Sequence, residues 1–179
     1  MQTKTHQVIL KLVYAAVCLA LCMVLPFLTG QVPEIGSMLC PMHIPVLLAG
    51  FLCGPWWAMG VGFVAPALRF LLFGMPPLLP VGLPMMFELL AYGLAVGLLY
   101  RLLPRKPGFV YGSLIGGMIV GRIVWGAAAV VVYGVTGKAF TWAAFLAGAV
   151  LNAIPGIILH IVLIPVIVFA LQKAKIIGK

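Results

Sequence analysis

Long apolar segments, separated by short loops rich in glycine and proline, occupy almost the whole chain. A helix that crosses a membrane needs about 20 mostly apolar residues, because the hydrocarbon core is about 30 Å thick. The 179 residues therefore have room for about six such helices and little else. With 7% of its residues charged and a mean hydropathy of +1.27, the chain cannot provide the polar surface of a soluble domain.

Hydropathy and the positions of Gly and Pro predict an all-α fold, a bundle of six transmembrane helices in one domain of residues 1–179. The predicted segments are 8–29, 41–53, 56–73, 84–103, 109–136 and 142–171. The second is too short for a straight span, since its roughly 14 residues reach only about 21 Å as a helix. Irregular backbone at this depth must be buried in protein or line a water-filled cavity. The apolar run of the first segment is too long for a signal peptide, so we expect a retained helix.

The positions of the basic residues predict the orientation in the membrane. Eight of them precede the first segment, separate the fourth from the fifth or follow the last: Lys4, Lys11, Arg101, Arg105, Lys106, Lys173, Lys175 and Lys179. Only Lys138 falls in a loop on the other side. By the positive-inside rule, both termini and the 101–107 loop are therefore predicted to be cytoplasmic. This distribution also accounts for the net charge of +9, so it indicates no nucleic-acid partner.

Charged side chains at membrane depth are the strongest functional signal, since each costs at least about 2.5–3.5 kcal/mol near the bilayer centre. The chain has three such charges, Arg69, Glu88 and Arg122. Helical spacing places Tyr92 on the face of Glu88, and Trp125 on the face of Arg122. His43 and Asn152 are two further polar residues at this depth. Most of these side chains fall in the predicted outer half of the membrane, which indicates a pocket open to the outside. The predicted pocket residues are His43, Arg69, Glu88, Tyr92, Arg122, Trp125 and Asn152.

A purely structural interpretation of these charges is an internal salt bridge of Glu88 with Arg69 or Arg122. If all three are buried together, however, one positive charge lacks a protein partner, which is costly. A ligand with a carboxylate, or a polar heterocycle with acceptor atoms, would satisfy it. On the sixth segment, Asn152, Gly156 and His160 form one stripe at a spacing of four, interrupted by Pro155. His160 by itself is interpreted as a hydrogen-bonded core histidine.

Small residues recur at a spacing of four, which lets transmembrane helices approach each other closely. Packing within the bundle explains most of these pairs, which are Gly50 and Gly54, Gly93 and Gly97, Gly112 and Gly116, and Gly117 and Gly121. Ala16 and Ala20 form a smooth face near the cytoplasmic half of the first helix. This face is predicted either to dock a partner protein or to pack within the bundle.

The sequence offers little support for catalysis or for a cofactor. It has no Gly-rich phosphate loop and no HExxH motif. Its two acidic residues could form a carboxylate pair only if Glu34 folded back onto Glu88. The four cysteines contain no CxxC pair, so neither a disulfide nor a metal site is expected. We therefore predict that the protein is not an enzyme and holds no cofactor or metal.

Three stretches carry a resemblance to a known family. They are MLCPMHIPVLLAGFLCGPWWAMGVGFVAPALRFLLFGMPPLLP, MMFELLAYGLAVGLLY and NAIPGIILHIVLIP. With the Ala-x-x-x-Ala first helix and the outward polar cluster, they resemble the substrate-binding S component of an energy-coupling factor (ECF) transporter. The resemblance implies a multi-pass subunit in a prokaryotic cell membrane that captures a vitamin on the outer side. It also implies association with a transmembrane coupling protein and two ATPases, and toppling of the whole subunit in the lipid to release its cargo.

The resemblance further implies roles for particular residues. The alanines Ala16 and Ala20 would meet the coupling protein, with the loops 30–40 and 74–83 acting as lids. Ligand contacts would come from Glu88, Tyr92, Arg122, Trp125 and Asn152, whereas His43 and Arg69 are added from the charge argument alone. A pantothenate-like carboxylate is the preferred substrate, and a pyridoxine- or pyrimidine-like ring is next. A scaffold subunit of a membrane complex is the alternative, and a membrane hydrolase using His160 or Glu88 is the third interpretation.

Overall fold

The computed structural model describes residues 4–29, 32–104, 106–137, 139 and 141–177. Three basic residues used to predict the topology, Arg105, Lys138 and Lys179, lie outside this part of the chain. The described residues form eight α-helices: α1 (Lys4–Val24), α2 (Pro33–Leu39), α3 (His43–Leu52), α4 (Pro55–Phe73), α5 (Leu83–Leu102), α6 (Pro107–Val135), α7 (Trp142–Leu146) and α8 (Ile154–Lys173). A 3₁₀ turn follows α1 at Leu25–Thr29, and π-type turns precede α5 at Leu78–Gly82 and follow α7 at Ala147–Leu151.

Six helical segments are long and apolar enough to cross a membrane, which confirms the predicted all-α fold. They are Lys4–Thr29, Glu34–Leu52, Pro55–Phe73, Leu78–Leu102, Pro107–Val135 and Ile154–Lys173. The second contains α2 and α3, which are separated where Cys40 adopts the left-handed conformation with φ 48°. At the predicted bounds of 41–53 lies only α3, with 10 residues, and the segment reaches membrane length because α2 precedes it.

The last segment differs from its predicted bounds of 142–171. The structure divides it into α7, a π-type turn and α8, and Pro155 lies in the first turn of α8. Proline is tolerated at that position because its missing N–H would have no helical partner there. Asn152 therefore lies in the turn before α8, and of the predicted stripe only Gly156 and His160 belong to this helix.

Close backbone contact between α4 and α5 organises the bundle. A Cβ added at Gly62 would lie closer than 3.0 Å to the carbonyl of Leu89, and one at Gly93 would lie equally close to the carbonyl of Ala58. On the other side of α5, the Cα of Gly121 in α6 faces the ring of Tyr92 without space for a side chain. Because packing has to hold transmembrane helices together where lipid offers no hydrophobic drive, these contacts set the position of α5 between its neighbours.

The two ends of the bundle differ in chemistry. The first turns of α1 and the residues that follow α8 line one cavity, so the two ends of the described chain lie together. That end carries Lys11, Arg101 and Lys175, and we call it the basic end. Glu34 and Glu88 line a different cavity, at the opposite ends of α1, α4 and α5. The predicted polar pocket therefore corresponds to one end of the molecule.

Candidate ligand-binding site

A cavity of about 640 Å³ lies at the end of the bundle opposite the basic end. Its volume is in the range of about 300–1,000 Å³ that is typical of small-molecule sites. The walls come from the end of α1, the α2 helix, the first residues of α3, the segment between α4 and α5, and the facing sides of α5 and α6. Six of the seven predicted pocket residues line it: His43, Arg69, Glu88, Arg122, Trp125 and Asn152.

The polar centre of this site brings three helices together around the carboxylate of Glu88. Oε1 of Glu88 lies 2.9 Å from Nη1 of Arg122 on α6 and 3.5 Å from Nε2 of His43 on α3. From the other side, the hydroxyl of Tyr92 donates a hydrogen bond to the carboxylate. Tyr92 is only 1% exposed, so it supports Glu88 from behind and does not itself line the cavity.

Several buried polar atoms of this cluster have no hydrogen-bond partner within the part of the chain that the structure describes. They are Nδ1 and Nε2 of His43, Oε1 of Glu88, Nε of Arg122 and Nε2 of His160. The Arg122–Glu88 contact is close, yet its alignment does not make a hydrogen bond at Oε1. An unsatisfied buried polar group costs about 1–3 kcal/mol, and native proteins hold few of them. Such a group at a cavity wall is therefore available to a ligand.

Arg69 is buried in a different environment from the one expected. Its side chain is enclosed, with 3% of the residue exposed, and Nη1 donates to the carbonyl of Met23 over 2.6 Å. Its Cζ lies 5.2 Å from the ring centroids of both Phe27 and Phe73, a cation–π arrangement that stabilises a buried cation. Glu88 pairs with Arg122, so Arg69 is the positive charge that no carboxylate of the described chain neutralises.

His160 packs behind the cluster. Its ring stacks on that of His43, with centroids 6.1 Å apart and planes at 18°, and only 3% of the residue is exposed. This agrees with the interpretation of His160 as a core histidine. The rings of Trp125 and Phe145 stack with centroids 6.1 Å apart, which fixes one wall of the cavity. Asn152 reaches the same wall from the turn before α8, where it is exposed.

Sequence reasoning missed Cys40 as a wall residue, because the cysteines were considered only for a disulfide or a metal site. Its Sγ lies 3.9 Å from Nη2 of Arg122, within hydrogen-bonding reach for sulfur. The two loops predicted to act as lids supply further wall residues, which are Val32, Glu34, Gly36, Ser37, Met75, Pro76, Pro77 and Val81. The sequence signal for this role is that both loops are rich in Gly and Pro and poor in charged residues.

The alanine face of α1 is not used in packing within the described bundle. Ala15, Cys18 and Cys22 point inward and are buried, whereas Ala16 and Ala20 are exposed. Of the two alternatives for these alanines, internal packing therefore loses its support. The pair of Gly93 and Gly97 behaves differently, since both meet the backbone of α4 or the turn before it, whereas Gly54 and Gly112 have nothing within 4 Å of an added Cβ.

Six membrane-length helices around an enclosed polar cluster define a multi-pass membrane protein with a cavity for a small ligand. Residues 10–168 match the model of the family described as ECF transporter, substrate-specific component, and the chain belongs to that family. Members are substrate-binding subunits of a transporter and work with the transmembrane and ATPase subunits of an ECF module; they are not catalytic enzymes. No curated protein and no solved structure matches the chain.

Proposed function

We propose that this S component captures a water-soluble vitamin or related micronutrient on the outer side of a prokaryotic cell membrane, for ATP-driven uptake by its module. Residues 1–179 would act as one substrate-binding domain, with the ligand in the 640 Å³ cavity. The observation that supports this is a set of buried polar atoms of His43, Glu88 and Arg122 at the cavity wall that have no hydrogen-bond partner among the described residues. A bound ligand would supply the missing hydrogen bonds.

The buried charges favour a ligand that carries one carboxylate, such as a pantothenate-like molecule. Arg69 and Arg122 contribute two positive charges to the cavity wall, and Glu88 contributes one buried negative charge. Glu34 also lines the cavity but is exposed, so water screens its charge. A ligand carboxylate would balance the remaining positive charge, which is costly to leave uncompensated in a buried site.

A second class of ligand is favoured by a separate observation. Oε1 of Glu88 and the ring nitrogens of His43 lack hydrogen-bond partners among the described residues. A pyridoxine- or pyrimidine-like ring could donate its hydroxyl or amino hydrogens to the carboxylate, with Trp125 at the wall as an aromatic surface. This ligand would be held by hydrogen bonds and would need no charge of its own.

Mass spectrometry of the small molecules released from the purified, denatured protein tests the proposal. We expect a stoichiometric ligand, or a rise in the unfolding temperature when a water-soluble vitamin is added to the purified protein. A carboxylate would support the role of the arginines, and a neutral ring would support that of Glu88 and His43. If no ligand co-purifies and no vitamin stabilises the protein, the proposal is contradicted and the scaffold alternative is favoured.

For a ligand that donates a hydroxyl or amino hydrogen to Glu88, replacing this residue with glutamine should weaken binding at least tenfold while the protein stays folded. Hydrogen bonds to a charged group contribute about 1.5–3 kcal/mol, whereas Arg122, with its side chain 16% exposed, can be hydrated from the cavity when Glu88 is gone. Binding is measured by titration calorimetry with the ligand identified above. Glu34→Gln is the matched control, because it removes the other, exposed acid, and should change affinity less than threefold. A fold that collapses in Glu88→Gln would favour the scaffold.

Replacing Ala16 and Ala20 with leucine should prevent assembly with the ECF module without changing the fold. The added side chains would project from an exposed face and separate surfaces that need close approach. The amount of module that co-purifies with the tagged subunit measures this, and we expect a loss of more than tenfold. Ala127→Leu, at an exposed position of α6, is the control and should assemble normally. Equal assembly of both variants would rule out this docking face.

A further inference from the structure

A second cavity, of about 840 Å³, lies at the basic end of the bundle. It is bounded by the first turns of α1, the turn between α3 and α4, the last turn of α5 and the residues after α8. Its lining includes the polar side chains of Gln7, Tyr14 and Tyr100. This cavity is separate from the proposed vitamin site and has no place in the function proposed above.

The charges around this cavity all have the same sign. Lys11, Arg101 and Lys175 come from three separate parts of the chain, and no acidic residue lines the cavity with them. The only two acidic residues of the protein, Glu34 and Glu88, line the cavity at the opposite end. The three cations are exposed and repel one another around one concavity, and an anion from outside the chain would relieve this repulsion.

The residues after α8 are folded so that Lys175 is held at the cavity. Lys175 has a left-handed backbone with φ 60°, and its N–H donates to the carbonyl of Gln172 over 3.0 Å. The side chain of Gln172 in turn donates to the hydroxyl of Tyr100 over 2.9 Å, which ties this turn to α5. Ile177 is only 6% exposed and anchors the segment in the core. A non-glycine residue in this conformation needs such support from its surroundings.

We propose that this cavity binds a phosphate group, which Lys11, Arg101 and Lys175 neutralise. Arginine and lysine are the side chains that recognise phosphate oxygens, and the planar arginine can bind two of them. Trp57 and the 65%-exposed Trp56 line the cavity, and tryptophan is enriched at the level of lipid headgroups. The phosphate can therefore come from an anionic phospholipid of the adjacent leaflet or from a free anion. Competition with inorganic phosphate distinguishes these two sources.

Native mass spectrometry of the delipidated protein tests this site with three probes: short-chain phosphatidylglycerol, short-chain phosphatidylcholine and inorganic phosphate. We expect one equivalent of phosphatidylglycerol to bind tightly, with affinity falling as salt is added because screening shortens the reach of exposed charges. Removing one basic residue near a membrane surface costs about fivefold in binding. Lys11→Gln, Arg101→Gln and Lys175→Gln should each show about this loss.

Lys173→Gln is the matched control, since Lys173 is an exposed residue of the last turn of α8 that does not line the cavity. It should change affinity less than twofold, and thermal unfolding should show all variants folded. Competition by inorganic phosphate would assign the site to a free anion, and its absence would assign it to a lipid headgroup. Three results would overturn the proposal. They are that phosphatidylcholine binds as tightly as phosphatidylglycerol, that Lys173→Gln loses as much affinity as Lys175→Gln, or that no phosphate compound binds.

Discussion

Replacing Arg122 with glutamine should destabilise the protein by about 3–5 kcal/mol, the range for breaking a buried ion pair by removing one partner. The loss is large because the side chain of Glu88 is only 3% exposed and its carboxylate would lose its arginine partner. The expected result is a lowered unfolding temperature and a smaller folded fraction in detergent. Fluorescence-detected size-exclusion chromatography measures both. The Glu88→Gln protein should lose much less stability, because the side chain of Arg122 is 16% exposed.

Two further variants make this expectation specific. The double variant Glu88→Gln/Arg122→Gln should be more stable than Arg122→Gln alone, because it no longer holds an uncompensated carboxylate. Arg69→Gln removes a more deeply buried arginine, with only 3% of the residue exposed, but it leaves unpaired only a backbone carbonyl, so it should cost about 1–3 kcal/mol. Two results would contradict a stabilising role for the Glu88–Arg122 pair. One is that Arg122→Gln is at least as stable as Arg69→Gln, and the other is that the double variant is no more stable than Arg122→Gln alone.

Replacing Gly62 with alanine should prevent α4 and α5 from packing and abolish most of the folded protein. A Cβ at this position would lie closer than 3.0 Å to the backbone carbonyl of Leu89, and a backbone cannot move aside as a flexible side chain can. Overpacking costs about 1–3 kcal/mol in soluble cores, and here it also displaces the helix that carries Glu88. The yield of monodisperse protein and its unfolding temperature measure the effect.

Gly60 provides the control on the same helix. It is exposed, and nothing lies within 4 Å of an added Cβ, so Gly60→Ala makes the same chemical change without the contact. It should alter stability by less than about 1 kcal/mol, the difference between glycine and alanine in helix propensity. Similar losses in both variants would mean that glycine matters for helix conformation and that the α4–α5 contact has no special role.

The fold class could be predicted from the sequence because it depends on local composition. Each membrane-length apolar segment must form a helix to satisfy its own backbone, whatever its neighbours do. The same reasoning identified His43, Glu88 and Arg122, since polar side chains at this depth are costly wherever they occur. The predicted bounds of the last segment were less accurate. Pro155 can either interrupt a helix or occupy its first turn, and the sequence pattern does not distinguish the two.

The sequence by itself determined that the chain forms six membrane-length helices and that a small set of polar side chains lies at their depth. Only the tertiary structure decided that Glu88 pairs with Arg122, and that Arg69 is satisfied by a carbonyl and two aromatic rings. The physical reason is that pairing depends on the rotation and depth of each helix relative to its neighbours. Those are set by contacts between distant residues, such as Gly62 with Leu89, which no local pattern contains.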